Sequence, residues 1–380
     1  MNCLICNAKG LIQLGLPGIY PKSITSEPRI CNYPSDLWYC QSCGHIQKNH
    51  TQEIVSYINK VYSEYLAHYL SDGGEQLVFP AGLPPRPRTY HALQSCASYL
   101  PKKGKLLDFG CGTGAALISA SLLLPQWTMY GYDLSPLFKD DILKIPQVKG
   151  FLSGSLSDIQ NGPFDLIILW QVLEHLADPV YYLSELKKHL TETGMILISV
   201  PDTERNPFDL AVIDHCSHFS LNSLDMFLQQ TGFGIKVDGR NWFHNLLTCL
   251  ITHDTSHHIN RNDVPSPERY VIWLKETAKF FNKTIDNNRY AIFGTGMSSF
   301  WLYSQMNSKP EFFLDEDERR IHKEIDGIKI IHPQDLIDNS ILIVIPFLRS
   351  TGLEIVNKIR NNYLPCRRSS FVFAPEMIDE

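Results

Sequence analysis

The sequence predicts an α/β protein centred on a doubly wound parallel sheet, with a small cysteine-bearing module before it and a second, smaller Rossmann-like unit after it. Three observations carry this. Short apolar runs ending in glycine turns and leading into helical segments recur through the middle of the chain, the alternation of a parallel sheet covered on both faces. The pattern of strand, glycine loop and helix occurs twice, from Lys105 and again from Arg289. Two Cys-x-x-Cys pairs stand ahead of both, Cys3 with Cys6 and Cys40 with Cys43.

At 380 residues the chain is long for one domain, and the expected division is 1–75, 76–240 and 241–380. Thirty-four basic residues against forty acidic ones leave a net charge of −6, with no basic block. That disfavours a nucleic-acid or membrane-surface protein. Apolar runs such as Ile341–Phe347 are strand-length, far short of the roughly 20 residues a membrane helix needs. The first ten residues hold neither a basic nor an apolar leader segment, so a soluble, cytoplasmic chain without a signal peptide is expected.

With no secretory signal, the ten cysteines are read by spacing and not as disulfides. Two Cys-x-x-Cys turns supply the four thiolates of a closed tetrahedral zinc site, which holds a fold and leaves no position for substrate. The predicted ligands are Cys3, Cys6, Cys40 and Cys43, with Cys31 and His45 as substitutes and a redox pair as the competing reading. Gly44 suits a knuckle turn that needs positive φ. After this module a helix is expected over 53–69, carrying Tyr57, Tyr62, Tyr65 and Tyr69 either as a packed face or as a lid. A proline-rich turn over 80–87 and a helix over 88–100 follow.

The segment Asp108-Phe-Gly-Cys-Gly-Thr-Gly follows the apolar Leu106–Leu107 and precedes a helix over 115–123. Glycines at the carboxyl end of a parallel strand let backbone approach a ligand closely. A second strand ends at Asp133, 19 residues beyond Gly114, where a carboxylate can accept two ribose hydroxyls. Two more buried strands are predicted at Phe164–Trp170 and Gly194–Val200, the second stopped by Pro201. A sheet binding a nicotinamide cofactor is the competing reading.

The DFGCGTG loop, the Asp133 strand end, the FDLI…VLEHLADP segment and the GMILISVP strand together resemble class I S-adenosylmethionine (SAM)-dependent methyltransferases over roughly 88–240. That resemblance implies that Gly110, Cys111, Gly112 and Gly114 hold the amino-acid part of SAM, with Asp108 near its amino group. It further implies Asp133 at the ribose, Leu134, Ser155 and Leu156 by the adenine, and Trp170 and Gln171 beside the methyl group.

Methyl transfer to carbon or hydroxyl needs a base, and histidine titrates in the right range. Asp214, His215 and His218, following the last predicted strand, form the expected base region, with His175 reaching the same cleft. His215 is the expected base, and His175 and Asp214 assist it. His244, His253, His257 and His258 lack metal spacing and read as a polar loop. In the last third, Gly294-Thr-Gly296 and Asp315, 19 residues on, form the second loop and strand end. Arg289, Arg319 and Arg320 are candidate phosphate ligands there. Taken in order, the whole chain resembles sugar C-methyltransferases, departing from them at Val212 and His218, where tyrosines are common. This implies structural zinc, SAM, and a small-molecule acceptor: a carbon beside the keto group of a nucleotide-linked deoxysugar, attacked as its enolate. O- or N-methylation of another metabolite, and a non-catalytic assembly protein, are the rivals.

Overall fold

The computed structural model describes residues 1–14, 22–27, 29–63, 69–79, 83–256, 266–363, 366 and 369–377. Its centre is a seven-stranded sheet in the spatial order Val148–Leu152, Thr128–Tyr132, Lys105–Phe109, Phe164–Trp170, Leu190–Pro201, Leu246–Thr252, Gly234–Asp238. The first five pair in parallel, in the doubly wound order 3-2-1-4-5. The last two join antiparallel, Met195 opposite Thr252 and Gly234 opposite Thr252 on the far side.

Side chains along these strands alternate between two cores, as the period of two requires. Leu106, Leu166, Ile168 and Leu197 pack with Ala92, Leu93, Leu117 and Ala120 from the helices Arg88–Cys96 and Ala115–Leu123. Leu107, Ile167, Leu169, Ile196 and Ile198 pack with Leu183, Leu186, Leu224 and Phe227 from the helices Pro179–Lys187 and Leu221–Thr231. The Leu221–Thr231 helix starts on a Ser220–Ser223 capping box and ends at Gly232 with φ +69°.

A six-stranded sheet follows, in the order Glu324–Ile325, Ile328–Ile331, Phe312–Leu314, Tyr290–Phe293, Leu342–Ile345, Phe371–Phe373. All its pairings are parallel except that of Glu324–Ile325. The N-terminal module forms a third sheet from Ile12–Gln13, Leu37–Tyr39 and Ile46–Lys48, completed by Ser217–His218 from the central region.

Two expectations change. The boundary expected at 240 precedes Leu246–Thr252, which pairs along most of Leu190–Pro201, so the central sheet closes after it. The apolar run Leu246–Leu250 gives no turn signal to mark it as a return strand. The helix expected over 53–69 runs from Gln52 to Ser63, then a short 3-10 turn covers Tyr69–Ser71; Tyr65 lies outside the described residues, as do Pro80, His257 and His258. One core also joins distant parts of the chain: Leu14, Ile24 and Ile46 pack with Phe208, Val212, Trp273 and Trp301.

Candidate functional site

The two cysteine pairs build matching knuckles. In the first, Asn7 N–H donates to the Cys3 carbonyl and Cys3 N–H to the Ala8 carbonyl; in the second, Gly44 N–H donates to Cys40 and Cys40 N–H to His45. Asn7 at φ +56° and Gly44 at φ +74° occupy the same left-handed turn position. The four thiols of Cys3, Cys6, Cys40 and Cys43 lie within 4.8 Å of one another, with Cys3–Cys43 and Cys6–Cys40 sulfurs 3.5 Å apart. A proton shared with Cys43 holds the Cys3 thiol down to about 5. This donor set fits one metal ion. The substitute ligands lie elsewhere: Cys31 packs against Ile54, Ile58 and Ile213, and the His45 ring meets the Ser217 hydroxyl at 3.2 Å.

The glycine-rich loop leaves the carboxyl end of Lys105–Phe109. Gly110, Gly112 and Gly114 all have positive φ, and a Cβ at Gly110 would stand 2.4 Å from Val172 Cγ2. The backbone N–H groups of Gly110 and Cys111 both donate to the Tyr132 carbonyl, which ties the loop to the neighbouring strand. Asp133 accepts from Gly112 N–H at 2.8 Å and Ser135 N–H at 2.9 Å. Asp108 is buried, with Oδ2 lacking any partner, and burial, then Asp133 and Glu75, push its carboxyl up to about 8. At the ends of the next strands, Leu134 is 77 % exposed, Ser155 is exposed and Leu156 is buried. Trp170 closes its strand edge-on to Phe243, and Gln171 follows at φ +55° with a buried, unpartnered Nε2.

Sequence reasoning missed Glu75 and Arg88. Glu75 is buried and accepts from Thr89 N–H and, at 2.5 Å, from its hydroxyl; burial raises it to about 7. Arg88 donates to Asn245 Oδ1 at 3.3 Å, and Glu75 attracts it without a direct ion pair among the described residues. Neither carries a motif. The strap 70–75 brings Glu75 here: Thr113 of the glycine loop donates to the Gly73 carbonyl at 2.7 Å, and the six-stranded unit holds the strap through Arg320 to Ser71 Oγ, Arg319 to the Glu75 carbonyl and Lys323 to the Leu70 carbonyl.

The histidine cluster lies on the short turn Leu173–His175 and the segment 209–218. His175 is reached from the N-terminal helix: Tyr62 Oη is 2.9 Å from its Nδ1, and the Asp214 carbonyl lies at 3.1 Å. The His175 side chain keeps 22 % exposure. His215 and His218 are buried, and each contacts Asp209 through Nδ1 at 2.6 Å. Here the structure corrects the expected pairing. Asp214 is turned away from His215, accepting from Ser26 N–H and Oγ and lying 3.6 Å from His175; the carboxylate that orients His215 is Asp209. The reason is local: Asp214 sits in a turn closed by His215 N–H donating to the Val212 carbonyl, and Ser26 takes up its carboxylate. His218 is buried beside His215, with its Nδ1 held by Asp209. Val212 likewise packs in the apolar core.

Burial pushes His175 down to about 4 and His218 to about 3, whereas Asp209, Glu174 and Asp214 outweigh burial at His215 and raise it. Glu174 is buried without hydrogen-bond partners for either oxygen, and burial raises it to about 8. The three candidate phosphate arginines are all engaged: Arg289 by Glu311 and Asp338, Arg319 by Asp317, Arg320 by Asp315.

The fold and loop define a Rossmann-like cofactor domain. Residues 86–236 match the family described as methyltransferase domain. Similar curated proteins include a trans-aconitate 2-methyltransferase of Deinococcus radiodurans, 30 % identical over 116 residues, 30 % of this chain and 41 % of that protein. A ubiquinone biosynthesis O-methyltransferase of Cereibacter sphaeroides is 27 % identical over 125 residues, 30 % of this chain and 48 % of its own length. The chain thus spans less than half of these curated relatives. Among solved structures, a SAM-dependent methyltransferase from Clostridium acetobutylicum aligns over 52 % of this chain and 98 % of its own, at 14 % identity and a TM-score of 0.37. No helix among the described residues is long and apolar enough to cross a membrane.

Proposed function

We propose that this chain is a SAM-dependent methyltransferase acting on a small acceptor, most specifically at a carbon beside the keto group of a nucleotide-linked sugar. The observation that carries the reading is a cluster of His175, on the turn that meets the glycine loop through Val172, with Asp209, Asp214 and His215 from the segment 209–218. Bound SAM supplies an electrophilic methyl group on a good leaving group. The residues present fit it: Asp108 offers an unpartnered buried oxygen to an ammonium, Asp133, each of whose oxygens accepts one backbone N–H, keeps lone pairs for ribose hydroxyls, and Arg88, bonded to Asn245, keeps N–H groups for a carboxylate. Gly110, Gly112 and Gly114 keep side chains out of the loop, Cys111 contributes backbone, Leu134, Ser155 and Leu156 border the adenine, and Trp170 and Gln171 border the methyl group.

His215 takes the proton. Its raised pKa makes it the stronger base of the two rings near the turn, and it works from the neutral form, so activity rises with pH through its titration. His175, kept neutral and held by Asp214 and Tyr62, orients the acceptor. The strap and the C-terminal Rossmann-like unit cover the cleft. Cys3, Cys6, Cys40 and Cys43 hold a structural zinc, whose module continues as Ile46–Lys48 into pairing with Ser217–His218.

Calorimetry with SAM and S-adenosylhomocysteine tests the cofactor reading, and absence of binding ends it. Incubation with methyl-labelled SAM and a panel of nucleotide-linked keto sugars, read by NMR, tests the acceptor. A C–CH₃ signal, together with deuterium exchange at that carbon without SAM, is expected; an O–CH₃ product moves the reading to the O-methylation that the relatives' names describe. Metal analysis is expected to give one zinc per chain, lost in Cys40→Ser.

A further inference from the structure

We propose that Asp209 is a positioning residue that clamps two imidazoles, presenting Nε2 of His215 as the basic nitrogen and using His218 as a fixed second arm. The proposal rests on the methyltransferase reading for its activity consequences, but its geometry stands alone.

Asp209 has no exposure, and its two oxygens are shared between rings: Oδ1 with His215 Nδ1 and Oδ2 with His218 Nδ1, both at 2.6 Å. An ionised carboxylate only accepts, so both Nδ1 atoms carry hydrogen. Each ring then has its lone pair on Nε2. For His215 this fixes which nitrogen can accept a proton, and the other tautomer would break a buried charge-assisted bond. A single histidine would leave one carboxylate oxygen buried and unsatisfied. The second donor, His218, removes that cost and makes Asp209 a weaker base, so a proton taken by His215 stays on its ring and does not migrate to Asp209.

His218 is itself anchored. Its Nε2 is buried without a partner, as is Thr203 Oγ1, and both residues line one small cavity with Tyr39, Glu204, Ser220 and Tyr270. An acceptor nitrogen and a hydroxyl facing the same small space form a site for one water donating to Nε2. Lys48, from the strand paired with Ser217–His218, stands near both His218 and Asp209 and opposes protonation of His218. The titratable groups around His215 are Asp209, Glu174, Asp214, His175 and His218, and those around His218 are Asp209, His215, Lys48 and His45.

The test uses the full-length, metal-loaded protein. Nitrogen-15 NMR of histidine-labelled wild type is expected to show His215 and His218 with protonated Nδ1, His218 neutral throughout and His215 titrating. Asp209→Asn is expected to lower kcat by about 10²- to 10⁴-fold, the range for a mis-set catalytic histidine. S-adenosylhomocysteine affinity should stay within about twofold of wild type, and the acid limb of the pH–rate profile should move to lower pH. His218→Asn should give a smaller fall, because Asp209 keeps its bond to His215 Nδ1. An unprotonated Nδ1 on His215 in the wild type overturns the proposal even if Asp209→Asn fails to fold. So does an Asp209→Asn enzyme with an unmoved acid limb. If wild type binds no SAM, the methyltransferase reading fails, and the NMR result still decides the clamp.

Discussion

Two glycine loops in this chain share one sequence pattern and differ in what their polar groups do. In the central sheet, Asp108 keeps an unpartnered buried oxygen, and Gly110, Gly112 and Gly114 all adopt positive φ. In the six-stranded sheet, Thr295 donates to Asp315 at 2.5 Å, Arg320 bridges to both, and only Gly294 has positive φ. The first loop has left its buried carboxyl group open toward a ligand. The second has closed its own, and it passes the connection on through Arg320 to the strap over the first. Strand–glycine–helix spacing therefore marks where a ligand can bind, while the balance of donors and acceptors marks where one is needed.

Four outcomes would sharpen or break that contrast. The largest effect is expected from Gly110→Ala, whose Cβ meets Val172 in a left-handed backbone: SAM affinity should fall by about 100-fold or more, whereas Gly296→Ala, with open space at its Cβ, should leave it within twofold. Equal losses by calorimetry would erase the distinction. Next, Asp108→Asn should weaken SAM binding by about tenfold or more. Because Asp108 sits near 8 and a bound ammonium favours its carboxylate, wild type should release protons on binding at pH 7, and the variant should release fewer; titration in buffers of different ionisation enthalpy reads this. Third, Thr295→Val should cost about 1–3 kcal/mol of stability by denaturant unfolding, from the broken Asp315–Arg320 network, with SAM affinity little changed.

The most gradual effect is a slope in stability with pH. His175 and His218 titrate at about 4 and about 3 when folded, below their ordinary 6.5. Below 6.5 the unfolded chain therefore binds more protons, and stability should fall on acidification toward the folded values, by up to about 1.4 kcal/mol per pH unit for each ring. His215 has the opposite sign: its contribution is complete below 6.5 and is lost as pH rises through its raised folded value. Asp108, Glu174 and Glu75, raised on folding, slope the other way, so thermal unfolding across pH 4–8 is read as the difference between wild type and His218→Asn; identical profiles would contradict a buried neutral His218.

Much of this was legible from residues close together in the chain. The Cys-x-x-Cys pairs, Gly44's turn, the strand before Asp108 and the helix over 115–123 are local patterns, because chelate turns and hydrogen-bonded backbone depend on neighbours a few residues apart. The base region was legible as a segment. Its wiring was not: proximity in sequence suggested Asp214 for His215, while the short turn Pro207–Ala211 delivers Asp209 instead.

The sequence alone determined the kinds of chemistry present, namely four thiols, a glycine loop with its acidic strand ends, and a histidine-rich segment. Only the tertiary structure decided which of these groups meet. Tyr62 reaches His175 across 113 positions, and Arg319 reaches the Glu75 carbonyl across 244. Such contacts depend on how sheets and helices pack, and burial then settles which polar groups are satisfied and which are left open for a ligand.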